Sequence, residues 1–79
     1  MEHFEELFAI FAELEAFHPQ SRREIDIEYN WLCEVPLLYV SYYHNGVFVL
    51  RHCMGTLDTT IEYFKEQVVK KRRYHAVIA

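Results

Sequence analysis

Glycine, proline and cysteine are scarce in this sequence of 79 residues, which holds two of each. This scarcity, together with a hydrophobic content of 52%, argues against a disordered or repetitive chain. Two cysteines, Cys33 and Cys53, are too few for a framework of disulfides. No apolar run is long enough to cross a bilayer, and the N-terminal residues lack the basic start of a signal peptide. We therefore expect a single domain over residues 1–79, cytoplasmic, with reduced thiols and no membrane partner.

The charge is unevenly distributed along the chain, although its net value is only −4. Residues 1–34 hold nine acidic residues against two basic ones, whereas residues 35–79 hold three acidic against six basic. Such asymmetry indicates either charged partners or pairing between the two halves of the domain.

Helical periodicity appears at both ends of the chain. A first helix is predicted from about Glu2 to Phe17, and Pro19 ends it. A second helix is predicted from a cap at Thr56 into the basic cluster Lys70–Arg73. For the tail 74–79 three alternatives remain: an extension of this helix, a short edge strand, or a segment that docks on a neighbour. The predicted apolar stripes are Phe4, Leu7, Phe8, Phe11 and Leu14 in the first helix and Leu57, Ile61, Phe64 and Val68 in the second.

Three strands are predicted between the helices. Ile25, Ile27, Tyr29 and Trp31 alternate with polar residues, as in a strand with one buried face. Further strands are expected at about 37–43 and 47–53. The predicted fold class is α+β, a two-layer sandwich of order α-β-β-β-α, with a three-stranded antiparallel meander and both helices on one face.

The register of the second hairpin depends on its turn. Asn45-Gly46 could form a two-residue type I′ turn, but this register mixes polar and apolar side chains on both faces. A three-residue turn with Gly46 as a bulge pairs Val40 with Leu50 and Tyr42 with Phe48, and it separates the faces better. We therefore predict the bulged turn.

This register divides the sheet into a covered and an uncovered face. The covered face is predicted to contain Ile25, Ile27, Tyr29, Val40, Tyr42, Phe48 and Leu50. The uncovered face is predicted to bind a partner through Asp26, Glu28, Tyr39, Tyr43, Val47, Val49 and Arg51, because tyrosine and arginine are enriched at interfaces. A few exposed tyrosines and valines are also common on antiparallel sheets without any partner.

Metal binding and catalysis find little support in the sequence. Cys33, His44, His52 and Cys53 lack the spacing of zinc ligands, and the adjacent His52 and Cys53 should point to opposite sheet faces. No nucleophile elbow or phosphate-binding loop is present. Asp26 and Glu28 share a strand face, where paired carboxylates more often serve solubility than acid–base chemistry. We expect that the protein is not an enzyme and that it binds no metal and no cofactor.

Nucleic-acid binding is the alternative function. Lys70, Lys71, Arg72 and Arg73 could contact phosphates, and tyrosines on a sheet can stack on bases. The predicted element order resembles that of double-stranded-RNA-binding domains at the level of topology only, because the basic residues of such domains have no counterpart here. Four consecutive basic residues also spread around a helix and do not form one face.

The function expected from these features is that of a non-enzymatic protein–protein interaction module. Size, acidity and the lack of catalytic motifs suggest a regulatory or inhibitory adaptor, such as a phage-type inhibitor of host defence (an anti-CRISPR) or of a host nucleic-acid enzyme. Asp26 and Glu28 would suit the basic surface of a nucleic-acid-binding machine, where carboxylates can replace phosphates. A homodimer through the same face is a further expectation, because chains of this size often gain stability by association.

Overall fold

The computed structural model describes residues 4–78, without the side chains of residues 75, 77 and 78. Its elements are α1 (Phe4–Phe17), β1 (Ser21–Asn30), β2 (Val35–His44), β3 (Val47–Gly55) and α2 (Leu57–Ile78). The strands form an antiparallel sheet in the order β1-β2-β3. The predicted α+β fold, with its order α-β-β-β-α and its meander, is confirmed. The predicted helix start at Glu2 lies outside the described residues.

Helix α1 buries a narrower stripe than the sequence suggests. Leu7, Phe11 and Leu14 are buried, and their spacing of four and three residues places them on one face of the helix. Phe8 was predicted in the same stripe but is 55% exposed, because it lies one residue beyond this face. Glu5 and Glu6 occupy the first turn, where carboxylates favour the positive end of the helix dipole.

Strand β1 extends beyond the cover that the helices provide. Its ten residues span about 33 Å, whereas the 14 residues of α1 span about 21 Å. Ile25 is half-buried, but Ile27 and Tyr29 are 53% and 46% exposed. Trp31 lies in the turn after β1 and is 83% exposed. The predicted burial of Ile27, Tyr29 and Trp31 is therefore wrong, since the described residues of the two helices begin only beside Ile27, at Phe4 and Leu57.

The hairpin between β2 and β3 has the two-residue turn that we rejected. Asn45 and Gly46 have φ angles of 53° and 77°, as a type I′ turn requires, and His44 pairs with Val47. A register shift follows, because Tyr43 pairs with Phe48 but Tyr42 pairs with Leu50. Val49 is the extra residue of this bulge. The type I′ turn matches the twist of the strands, and the bulge within β3 supplies the residue that we had assigned to the turn.

The bulge decides which side chains of β3 face the helices. Val40 is buried and pairs with His52, so Leu50 and His52 share the helix-facing side, as predicted for Leu50. Phe48 pairs with Tyr43 on the opposite side and is 54% exposed. The predicted burial of Phe48 is therefore wrong, and so are the predicted pairs of Val40 with Leu50 and of Tyr42 with Phe48. Leu50 is also 48% exposed, because the helices cover β2 more fully than β3.

Helix α2 begins at a threonine cap. The Thr59 backbone N–H donates a hydrogen bond to Thr56 Oγ1 at 3.2 Å, and Asp58 lies in the first turn. Thr60 is fully buried, and its hydroxyl donates to the Thr56 carbonyl oxygen at 2.6 Å. Ile61, Phe64 and Val68 are buried, as the predicted stripe requires, and the tail continues the helix to Ile78.

The two helices run parallel on the same face of the sheet. Lys65 Nζ lies 2.9 Å from Glu6 Oε2, and Arg72 contacts Glu13 about two turns further along both helices. Phe11 and Phe64 meet edge to face with 4.9 Å between ring centroids. The buried core consists of Leu7, Phe11, Leu14, Leu38, Val40, Ile61, Phe64 and Val68. Neither helix, over its described residues, is long and apolar enough to cross a membrane.

Candidate functional site

The outer face of the sheet is the side turned away from the two helices. Leu38 and Val40 of β2 are buried beneath the helices, so the alternating residues Tyr39, Ser41 and Tyr43 face outward. Their cross-strand partners in β1 are charged: Asp26 pairs with Tyr39, Glu24 with Ser41 and Arg22 with Tyr43. In the described part of the chain no element lies over this face.

Arg51 connects the three strands across the outer face. Its Nη2 lies 3.0 Å from Asp26 Oδ2 and 2.9 Å from Glu28 Oε2. The guanidinium group stands 4.1 Å from the centroid of the Tyr39 ring, a favourable cation–π distance. The hydrogen bond that Arg51 donates to Glu28, and the pairing with both carboxylates, raise the pKa of Arg51 above its ordinary value. Asp26, Glu28 and Tyr39, predicted to form one site with Arg51, therefore all contact its guanidinium group.

The contacts of Arg51 reduce the negative charge that the sequence predicts around Asp26 and Glu28. Two carboxylates and one guanidinium leave a net charge of −1, spread over side chains that are 35% to 55% exposed. Exposed pairs of this kind contribute little to stability and are weakened by salt. They do fix the positions of their groups, so the ring of Tyr39 is held under Arg51 and does not project freely.

A second group of predicted residues lies near the hairpin turn. The guanidinium of Arg22 is 4.7 Å from the centroid of the Tyr43 ring, and the rings of Tyr43 and Phe48 are 5.9 Å apart. Tyr43 is half-buried between them. Val47 is 66% exposed but pairs with His44, so it points to the helix-facing side and its predicted place on the outer face is wrong. Val49, the bulge residue, is 50% exposed. Phe48, which sequence reasoning assigned to the core, thus adds an exposed aromatic ring to the predicted surface.

Sequence reasoning also missed an exposed apolar tip between β1 and β2. Trp31 is 83% exposed and Leu32 is 95% exposed. The ring of Tyr29 contacts that of Trp31 edge to face, with 4.6 Å between centroids. Because "WLCEVP" breaks the strand alternation, the position of Trp31 outside the strand was a signal that we could have read.

The basic cluster of α2 does not form one continuous face. Arg72 makes two hydrogen bonds to Glu13, from Nε at 2.5 Å and from Nη2 at 2.7 Å, and this pairing raises its pKa. Lys70 Nζ lies 3.7 Å from Glu66 Oε1. Lys71 instead lines a groove between α2 and the sheet, and Arg73 is exposed. Two of the four basic residues predicted for nucleic-acid binding are thus paired with carboxylates.

The cysteines and histidines considered as metal ligands or nucleophiles lie apart. Cys33 and Cys53 are both exposed and free. His52 lines the groove on the helix-facing side, whereas Cys53 pairs with Tyr39 of the outer face, so the two side chains point in opposite directions. Over residues 4–78, no group of three or more His, Cys, Asp or Glu side chains is arranged to hold a metal ion.

Comparison of the chain with protein-family models, with curated proteins and with solved structures gives no match.

Proposed function

We propose that this protein is a non-enzymatic protein–protein interaction module that binds its partner through the outer face of the sheet. The observation that supports the proposal is the contact of Tyr43 with the exposed ring of Phe48, which leaves apolar surface open beside the Arg51 network. Exposed apolar patches rimmed by charged groups are typical of contact sites for other proteins.

The surface would suit a partner that presents apolar side chains next to basic ones. Asp26 and Glu28 are more than half exposed and keep oxygen lone pairs that Arg51 does not use. A lysine or arginine of the partner could share these carboxylates, while its neighbours cover Phe48. Because Arg51 already neutralises half of the charge, we expect apolar contact to supply most of the affinity and charge to supply orientation.

The proposal retains the biological role expected from the sequence. In this role the protein is a regulatory or inhibitory adaptor, of the phage-type class that acts on host defence or on host nucleic-acid enzymes. The basic surface of such an enzyme fits the carboxylates of β1. The size and acidity of the chain and the chemistry of the outer face support this role.

Site-specific photocrosslinking provides the test. A photoreactive phenylalanine analogue at Phe48 should crosslink to a partner in the cell, whereas the same analogue at Phe8 should not. Both positions are about equally exposed, at 54% and 55%, but Phe8 lies on α1. The purified partner should then bind the wild-type protein and lose at least tenfold affinity for Phe48→Ala, with Phe8→Ala unchanged.

Three results would contradict the proposal. Crosslinking at Phe8 and not at Phe48 would move the interface to the helices. Unchanged affinity of the purified partner for Phe48→Ala would exclude the outer face. Crosslinking only between two copies of this chain would show that the face serves a homodimer.

A further inference from the structure

The helix-facing side of β3 borders an open groove that the outer-face proposal does not use. The groove has a volume of about 210 Å³ and lies between α2 and the sheet. Leu50 and His52 of β3 form one side, and Tyr63 and Lys71 of α2 form the other. Leu50 and Tyr63 are 48% and 46% exposed, so the groove is open to solvent.

The strand beside this groove is an edge of the sheet. In the described chain β3 pairs only with β2, so its other side presents backbone N–H and C=O groups without a ladder partner. Register shifts beside Val49 and Met54 interrupt the strand, and Leu50–Cys53 is the regular stretch between them. An added strand could pair with about four residues there, and its inward side chains would enter the groove above Leu50 and His52.

The charged residues that line the groove are basic, in contrast to the net charge of −4 of the chain. Lys71 lies on one side and Arg23 at the base, beneath Tyr42. Nη1 of Arg23 is buried and has no hydrogen-bond partner among the described residues, because Glu15 Oε2 is 3.9 Å away. A groove with this lining attracts an anionic occupant and repels a cationic one.

A second copy of β3 is a poor occupant on these grounds. Residues 47–55 contain no acidic side chain but do contain Arg51 and His52. A copy of β3 would therefore offer no carboxylate to Lys71 and Arg23. The interruptions of the strand also shorten the ladder that two copies could form.

We propose that β3 and the adjoining groove bind an extended segment of a partner protein, one in which acidic side chains alternate with apolar ones, by addition of a strand to the sheet. Backbone hydrogen bonds to Leu50–Cys53 hold the segment. Apolar side chains contact Leu50 and Tyr63, and carboxylates approach Lys71 and Arg23. This site lies on the opposite side of the sheet from the proposed outer-face contact and does not depend on it.

Selection from a displayed library of random octapeptides on the immobilised protein tests the proposal. We expect the selected peptides to alternate acidic and apolar residues. A labelled selected peptide should bind Lys71→Glu at least tenfold more weakly than the wild type. Lys70→Glu is the matched control, because it makes the same change one residue earlier, outside the groove, and should change the affinity less than twofold. Circular dichroism establishes that both variants are folded.

N-methylated peptides distinguish strand addition from contact by side chains alone. An added strand donates every second N–H to the sheet, so methylation of one alternating set of amides should abolish binding. Methylation of the other set should leave most of the affinity. Loss of binding on Leu50→Glu, with crosslinking from Phe48 retained, would support the groove as a separate site.

Several outcomes would overturn the proposal. Selection of basic peptides would contradict an acidic partner segment. So would a selection that yields no more binding peptides on the wild-type protein than on the Leu50→Glu variant. Equal effects of Lys70→Glu and Lys71→Glu would place binding elsewhere on α2. Equal tolerance of both methylated sets would exclude strand addition. A dimer seen by sedimentation equilibrium that Leu50→Glu dissociates would make a second copy the occupant.

Discussion

The orientation of helix α1 on the sheet leads to different predictions for two neighbouring residues. Leu7 has no exposed surface, whereas Phe8 is 55% exposed, although the sequence assigns both to the apolar stripe. Leu7→Ala removes a fully buried side chain and should cost about 3 kcal/mol of unfolding free energy, by analogy with other Leu→Ala core cavities. Phe8→Ala removes a half-exposed ring and gains helix propensity, so it should cost about 1 kcal/mol or less.

The predicted loss is large for a chain of this length. Typical stabilities per residue give about 4–12 kcal/mol for 79 residues, so Leu7→Ala removes a quarter or more of the total. Urea denaturation followed by circular dichroism at 222 nm measures this loss. With a slope of about 1 kcal/mol per M, the midpoint should fall by about 3 M for Leu7→Ala and by about 1 M or less for Phe8→Ala.

Equal losses of unfolding free energy for the two variants would refute this orientation of α1. So would a larger loss for Phe8→Ala, since it would place the phenylalanine and not the leucine in the core. If Leu7→Ala is unfolded without urea, Leu7→Val keeps the comparison measurable, because it removes one methylene and should cost about 1 kcal/mol.

Further predictions concern the turn, the cap, the thiols and the basic cluster. Gly46→Ala should lower the unfolding free energy by about 1 kcal/mol in urea titrations, because φ is 77° there; no loss would contradict the type I′ turn. Thr56→Ala should cost about 1 kcal/mol in the same assay, and a neutral result would show that the cap is replaced. Cys33 and Cys53 should both react within minutes with a thiol reagent without denaturant, whereas a slow thiol would indicate burial. Mobility-shift assays at physiological salt should show no strong binding of RNA or DNA; binding with a steep salt dependence, lost on charge reversal of Lys70–Arg73, would favour the alternative function.

Much of the fold could be predicted from the sequence because periodicity is a local property. The spacing of Leu7, Phe11 and Leu14 predicted the buried face of α1, and that of Ile61 and Phe64 predicted the buried face of α2. An amphipathic helix buries its apolar stripe against the sheet at whatever place on the sheet it packs, so these positions are buried in either case.

The exposure of Trp31 and Phe48 was predicted wrongly for two different physical reasons. Trp31 continues the alternation of β1, but it lies in the turn beyond the described starts of both helices, and alternation carries no information about cover. Phe48 changes face because β3 has a bulge at Val49, which reverses the alternation between residue 48 and residue 50. A bulge after a favourable Asn-Gly turn leaves no clear signature in the residue types.

The candidate sites were predictable to different degrees. Asp26, Glu28, Tyr39 and Arg51 were assigned to one face by alternation alone, and they are in contact there. The groove was missed, because Arg23, His52 and Lys71 come from three elements that are distant in the sequence. The spacing of Tyr63, Gln67 and Lys71, four residues apart on one helix flank, was a signal for its outer wall.

The sequence by itself determined the order of the elements, the apolar stripes of the two helices and the alternation that places Tyr39 and Val40 on opposite faces of the sheet. Hydrophobic period and local propensity suffice for these features, since each depends on residues within a few positions. Only the tertiary structure decided the register of β3, the uncovered ends of the sheet and the groove beside Lys71. Those depend on how far one element extends past another, and on a single extra residue in a strand, which no local pattern specifies.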